Sequence, residues 1–172
     1  MKKFWKSLLL AGLVVMAGGC ATKQTIINHT FEFDARRDSP DIKILDYKYG
    51  NSKVHGTSVE EESLKRAMIP QQVGTYGPML RGDFLYVKWR IKATGEVLED
   101  RVDLRDRLPR DLKDHIVTFT IKGKQLYIYL VTPQRNSNPP SEEDRLHMPP
   151  IFRMNSYLTI YEIYPAKTIF KY

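Results

Sequence analysis

The sequence is poor in cysteine, because its 172 residues include only Cys20. One thiol cannot form a disulfide within the chain, so a folded domain must depend on its hydrophobic core. The chain is long enough for that, since a domain of roughly 150 residues buries about two thirds of the surface that its unfolded chain exposes.

Recognisable catalytic motifs are also missing. The four histidines, His29, His55, His115 and His147, lie far apart, and no HxH, HExxH or CxxC spacing occurs. There is no GxSxG turn for a nucleophilic serine, and no glycine-rich loop of the GxGxxG or P-loop type for phosphates. His55 and Ser58 lie in a predicted loop without a recognisable partner acid. We therefore expect no cofactor and no metal site, and an enzyme is the less favoured alternative.

Long hydrophobic runs are lacking too. The longest one, Leu8–Ala17, is shorter than the roughly 20 apolar residues that a membrane-spanning helix needs. Lysines precede this run, small residues follow it, and Cys20 comes next, which is the order of an export signal. The sequence Ala17-Gly18-Gly19-Cys20 resembles the lipobox of bacterial lipoproteins.

The lipobox resemblance implies how the chain is processed and where it goes. Residues 1–19 would be removed as a signal peptide, and Cys20 would carry a diacylglycerol and a further acyl chain. Residues 20–25 would then be a lipidated cysteine with a short tether. Ala21 implies transport to the outer membrane, where the protein would face the periplasm. An ordinary secreted protein with an incidental cysteine is the alternative.

Charge argues against a nucleic-acid partner. The signal contains three lysines and no acid, so 24 basic and 20 acidic residues remain, a net charge of +4. These charges are mostly interleaved, whereas a nucleic-acid surface needs a concentrated basic face.

The rest of the chain, residues 26–172, is predicted to be one β-rich domain. Alternating apolar residues predict strands over 26–35, 42–49, 84–92, 97–104, 116–121, 126–132 and 157–164, with 169–170 as a further edge. Six or seven strands joined mainly by hairpins predict an all-β fold, an antiparallel sandwich or an open barrel. A phase change between Ile44 and Leu45 predicts a bulge in the second strand.

Two segments are predicted to be loops and one a helix. Residues 71–83 and 134–150 are rich in glycine, proline or polar residues. Ser58-Val-Glu-Glu61 matches a capping box and predicts one short charged helix. Arg81-Gly-Asp83 is expected to form a turn before the third strand.

The candidate binding residues are arginines and tyrosines. Arg101–His115 contains five basic and four acidic residues and includes Arg105 and Arg107. Arginine binds carboxylates or phosphates bidentately, so these residues, together with Arg81 and Arg90, are candidates for a recognition surface. The more common alternative is a charged connection whose arginines pair with neighbouring aspartates.

Tyr127 and Tyr129 have the opposite parity to the apolar residues of their strand. They therefore point away from the predicted core. Exposed tyrosines favour protein or glycan contact, because the ring offers rigid area at low entropy cost. A second packed layer would cover them equally well, so both interpretations stay open.

The segment RGDFLYVKWRIKATGEVLEDRVDLRDRLP, together with the lipobox, resembles a group of uncharacterised proteobacterial lipoproteins. It is also loosely similar to lipoprotein immunity proteins that neutralise lipase effectors of type VI secretion systems. The shared positions are Gly82, Val87, Trp89, Val102, Leu104, Leu108 and Pro109. The resemblance implies a periplasmic immunity protein that binds a delivered toxin.

The leading hypothesis is a non-catalytic protein-binding module, anchored in the outer membrane by lipid on Cys20. Toxin immunity is a concrete version, in which the 71–83 and 134–150 loops would cover an active site. An envelope hydrolase or glycan-modifying enzyme is one alternative, and a structural subunit of an envelope assembly is another.

Overall fold

A computed structural model describes residues 25–166 of the chain. The predicted signal, Cys20, residues 21–24 and the predicted edge at 169–170 lie outside the described residues. The elements in chain order are β1 (Ile26–Asp34), α1 (Ala35–Asp38), β2 (Ile42–Tyr49), α2 (Glu61–Lys65), β3 (Gln72–Leu80), β4 (Phe84–Ile91), β5 (Val97–Asp103), β6 (Ile116–Lys122), β7 (Gln125–Arg135), α3 (Glu142–His147), α4 (Pro150–Met154) and β8 (Leu158–Tyr164).

The eight strands form two facing sheets that do not close into a barrel. One sheet has the order β3-β1-β6-β7-β8 and the other the order β2-β4-β5. The all-β fold is therefore confirmed as a sandwich. Two details differ from the prediction: β1 and β6 pair in parallel, and residues 25–166 contain four short helices instead of one.

The two predicted hairpins are confirmed. β4 pairs with β5 and β6 with β7, each in continuous antiparallel register. Lys88 and Glu99 face each other across the first hairpin, with a distance of 3.6 Å between Nζ and Oε2. The predicted bulge in β2 is present between Ile44 and Asp46.

Residues 71–83 are not a loop, which corrects the prediction. Gln72–Leu80 is the edge strand β3, paired antiparallel with β1 along its whole length. Pro78 is tolerated there because an edge strand has backbone N–H groups that need no ladder partner. The predicted capping box is also wrong, since Ser58 forms an isolated bridge with Lys48 and α2 begins after Glu60.

Residues 134–150 are likewise not entirely a loop. β7 continues to Arg135, and Glu142–His147 forms α3 with Ser141 as its N-cap. Among residues 25–166, no helix is long and apolar enough to cross a lipid bilayer.

The core lies between the two sheets and is rich in aromatic rings. Phe31 stacks on Tyr49 with 4.7 Å between ring centroids and 2° between ring planes. The Trp89 indole N–H donates to the Gly123 carbonyl at 3.2 Å, which ties β4 to the β6–β7 turn. The apolar residues that alternate along β6 and β7 are all buried: Val117, Phe119, Ile121, Leu126, Ile128 and Leu130.

The connection from β5 to β6 closes one end of the sandwich. Leu104, Leu108 and Leu112 are fully buried in it, so every fourth residue of this charged segment belongs to the core. The Asp114 N–H donates to the Asn28 carbonyl at 3.0 Å, which fixes the connection beside the start of β1. We call this the N-terminal end of the sandwich. The distal end holds α1 and the β6–β7 turn.

Candidate functional site

The outer face of the five-stranded sheet carries a cleft at the distal end. Its volume is about 390 Å³, and it lies between α1, the β6–β7 turn and α4. We call it the distal cleft. The residues that line it include Asp38, Asp41, Lys122, Tyr127, Tyr129 and Phe152. The structure thus brings both predicted tyrosines to one depression.

The distal cleft shows whether Tyr127 and Tyr129 are exposed or covered by a second layer. Tyr129 meets the Phe152 ring of α4 edge to face, with 4.6 Å between centroids. A second layer therefore covers Tyr129, and this burial raises the pKa of its hydroxyl. Tyr127 is half-buried and lines the cleft. The aromatic floor is held rigidly, which suits recognition at low entropy cost.

Carboxylates surround α4. One Asp38 oxygen accepts the Ile151 N–H at 3.0 Å, and burial raises the pKa of Asp38. Burial also raises the pKa of Glu32, and the nearby Asp38 charge adds to this rise. A smaller cleft of about 180 Å³ lies on the other side of α4 and is lined by Glu32, Asp38 and Met154, among others. Sequence reasoning missed these two carboxylates, because nothing in the local pattern marks them.

Arg81 holds the N-terminal end together. Its guanidinium donates to the carbonyls of Arg105 and Leu108, both at 2.7 Å, and of Pro109 at 3.0 Å. A planar fork with several donors can satisfy three carbonyls at once. Arg107 has a similar role, because it donates to the Ile163 and Ala166 carbonyls.

The structure separates the remaining predicted arginines. Arg105 forms an ion pair with Asp103, and Arg101 lies 3.4 Å above the Phe84 ring. Both line a cleft of about 280 Å³ at the N-terminal end, which we call the N-terminal cleft. Arg90 is exposed nearer the opposite end of the same sheet, where it pairs with Val97. The predicted arginines therefore do not form one surface.

Arg81 gives a first prediction. Replacing Arg81 by alanine is expected to lower the free energy of unfolding by about 2 kcal/mol, because three carbonyls lose a charged donor. Chemical denaturation measures this loss, and Arg90→Ala is the matched control with an expected change below about 0.5 kcal/mol. Equal stability of the two variants would contradict the structural role of Arg81.

His29 is buried between the sheets and has two partners. Its Nδ1–H donates to the Ile27 carbonyl at 2.8 Å, and Nε2 accepts the Tyr49 hydroxyl at 3.1 Å. The side chain is fully buried, and this burial lowers the pKa of the ring. Burial therefore favours the neutral ring in the folded protein, where its two hydrogen bonds stabilise the core.

The lowered pKa of His29 predicts a loss of stability in acid. Below the usual histidine pKa of about 6.5, the unfolded chain binds a proton that the folded chain does not, so stability falls with pH. The slope that one proton can contribute is at most about 1.4 kcal/mol per pH unit. Denaturation curves from pH 7 to 5 measure it. His29→Gln should lose this slope and the exposed His147→Gln should keep it; an unchanged slope in His29→Gln would contradict the assignment.

His55 does have a partner acid, which the sequence did not reveal. Its Nδ1 lies 2.7 Å from a Glu60 oxygen, and Ser58 and Ser63 line the same depression of about 270 Å³. Neither serine hydroxyl is hydrogen-bonded to the His55 ring within residues 25–166. In the part of the chain that the structure describes, no three His, Cys, Asp or Glu side chains converge to hold a metal ion.

Comparisons with known proteins give no relative. No protein-family model, no curated protein and no solved structure matches the chain. The candidate function must therefore be argued from the sequence signal and from the clefts themselves.

Proposed function

We propose that the chain is a lipid-anchored, non-catalytic binding domain of the bacterial outer membrane, with a protein as its partner. The N-terminal sequence supports the anchor, since the only cysteine follows an apolar run and small residues. Two acyl chains already give a stable anchor, so three would hold the domain firmly.

Under the proposed anchor, the length of the tether determines which end of the sandwich would be close to the membrane. Cys20 and Thr25 are five residues apart and can span at most about 18 Å. The Arg81 N–H donates to the Thr25 carbonyl at 3.2 Å, so the described chain starts at the N-terminal end. With its lipid in the bilayer, the protein would keep that end near the headgroups.

The observation that carries the proposal is the position of the distal cleft. β1 has nine residues and a length of about 30 Å, and the cleft lies at its far end. A lipid-anchored domain would therefore present the cleft to the periplasm. Anchoring also concentrates the domain near other membrane partners, which favours binding without high intrinsic affinity.

The surface of the distal cleft suits a protein partner. It combines half-buried aromatic rings with exposed charges of both signs, Lys122 and Asp41. Aromatic anchors surrounded by a polar rim are typical of protein interfaces. In the immunity version of the proposal, the distal cleft and residues 136–149 would cover a toxin's active site. Residues 72–80 form the edge strand β3, so they are not part of the covering loops in this proposal.

Affinity capture from cross-linked envelopes tests the proposal. The lipidated protein should recover a discrete protein partner. The double variant Tyr127→Ala, Lys122→Glu should lose it, while Lys48→Glu on the opposite sheet should retain it. Recovery of no protein, together with turnover of a lipid or muropeptide by the purified domain, would overturn the proposal.

An envelope hydrolase is the second candidate, and the His55–Glu60 pair favours it. A carboxylate that orients a histidine beside serines is part of the machinery of nucleophilic hydrolysis. The test is loss of lipid or muropeptide turnover in His55→Gln, with His147→Gln as the control. Without turnover by the unmodified protein, this candidate fails.

A further inference from the structure

The N-terminal cleft contains a guanidinium that is held in position but has no anion. Arg101 lies flat over the Phe84 ring at 3.4 Å, and Phe84 is buried. Within the described range 25–166, no hydrogen bond or ion pair joins the Arg101 side chain to another residue. Stacking on a ring leaves the in-plane N–H groups of a guanidinium available, and these bind phosphate or carboxylate bidentately.

The same cleft contains an acceptor without a donor. Asp83 lines it, and the Asp83 Oδ1 atom is buried with no hydrogen-bond partner among the described residues. A buried carboxylate oxygen without a donor is costly, which makes it a candidate for a ligand contact.

The other two charges of the cleft satisfy each other. Arg105 donates to both carboxylate oxygens of Asp103, and this contact lowers the Asp103 pKa. Arg105 also attracts the charge of Asp83, but the Asp83 Oδ1 atom still has no hydrogen-bond donor among the described residues. A purely anionic ligand would leave that oxygen without a donor and would be repelled by it, whereas a ligand with an ammonium and an anionic group matches both Asp83 and Arg101.

The cleft also lies where the membrane would be. Asp83 is two residues from Arg81, whose N–H donates to the Thr25 carbonyl. At most about 18 Å of chain joins Thr25 to Cys20. Under the proposed lipid anchor, on which this inference rests, the headgroup region lies within reach of the cleft.

We propose that the N-terminal cleft binds the phosphoethanolamine headgroup of a membrane phospholipid. The phosphate accepts N–H groups of Arg101, and the ammonium donates to Asp83. Phosphocholine would bind more weakly, because its quaternary ammonium has no N–H to donate. The contact would orient the domain on the bilayer and direct the distal cleft away from it.

Vesicle sedimentation tests this headgroup site without the lipid anchor. The probe is the processed chain, residues 20–172 with Cys20→Ser. The buried core residues lie between Phe31 and Ile163, so removal of residues 1–19 leaves the core intact. Affinity for vesicles of equal parts phosphatidylethanolamine and phosphatidylcholine should exceed that for phosphatidylcholine alone by about tenfold, as expected for one charge-assisted hydrogen bond. Free glycerophosphoethanolamine should compete, which separates headgroup binding from a change in bilayer packing.

Two variants and their controls complete the test. Arg101→Gln and Asp83→Asn should both abolish the preference for phosphatidylethanolamine, while Arg90→Gln and Asp106→Asn should keep it. Circular dichroism verifies that each variant is folded. Equal affinity for the two kinds of vesicle, or stronger binding to phosphatidylglycerol, would overturn the proposal. Since the probe has no lipid, its failure would leave Cys20 acylation untouched, and loss of acylation would be seen separately by mass spectrometry.

Discussion

Removal of the Cys20 thiol is expected to release the mature protein from the membrane. A serine hydroxyl cannot take the place of the acylated thiol, and each lost methylene removes about 0.8 kcal/mol of membrane affinity. An ordinary secretory signal should replace residues 1–19 in this experiment, so that a failure of processing is not mistaken for anchoring. The Cys20→Ser protein should then be found in the soluble periplasmic fraction.

The control for this experiment is the unmodified chain with its own signal. It should partition into detergent and carry the added mass of three acyl chains on Cys20. Retention of the Cys20→Ser protein in the outer membrane, with its signal removed, would contradict lipid anchoring. The N-terminal cleft predicts at most weak residual binding, because it takes a single headgroup.

Gly82→Ala is expected to cause a large loss of stability. A Cβ at position 82 would lie 2.3, 2.6 and 2.7 Å from carbon atoms of the Tyr49 ring. That ring cannot move away, because it stacks on Phe31 and its hydroxyl is hydrogen-bonded to His29. Overpacking of this kind costs about 3 kcal/mol, which corresponds to a fall in Tm of roughly 10 °C in a chain of this size.

Gly74→Ala is the matched control for Gly82→Ala. Gly74 lies on the edge strand β3, and a Cβ added there would meet nothing within 4 Å. Its Tm should change little or rise slightly, because alanine restricts the unfolded chain. If calorimetry gave equal Tm values for the two variants, the close approach of Gly82 to Tyr49 would be wrong.

The sequence predicts the hairpins because their signal is local. β4 and β5 alternate in hydrophobicity on either side of a turn, as do β6 and β7, and the apolar face of each pair is buried; in β6 the opposite face is buried as well. The pattern that resembles immunity lipoproteins falls largely on core residues: Val87, Trp89 and Val102 are buried, and so are Leu104 and Leu108. Packing alone requires apolar residues there, so the resemblance stays a prediction.

β3 could not be predicted from its own residues. Gly74, Gly77 and Pro78 are typical of a loop, and only pairing with β1 makes this segment a strand. The leucines of the β5–β6 connection were overlooked because most of the residues around them are charged. Their spacing of four is interrupted by the seven charged residues of the connection, residues 104–115, yet the structure buries all three leucines at the N-terminal end of the sandwich.

The clefts depend on contacts that are distant in sequence. Tyr129 was identified from its strand parity, but its cover, Phe152, belongs to α4, a helix that was not predicted. Arg81 and Arg107 were candidates for ligand binding because arginine forks suit anions, and the structure gives both of them backbone carbonyls instead. Residue type alone cannot distinguish a fork that binds a partner from one that holds the fold together.

Photo-cross-linking in living cells tests the central claim most directly. A photoreactive phenylalanine analogue is placed at position 127 in the distal cleft, or at position 48 on the opposite sheet, in the otherwise unmodified lipidated protein. We predict one discrete protein adduct from position 127 and none from position 48. No adduct at position 127, or the same adducts from both positions, would contradict a lipid-anchored domain that binds its partner through the distal cleft.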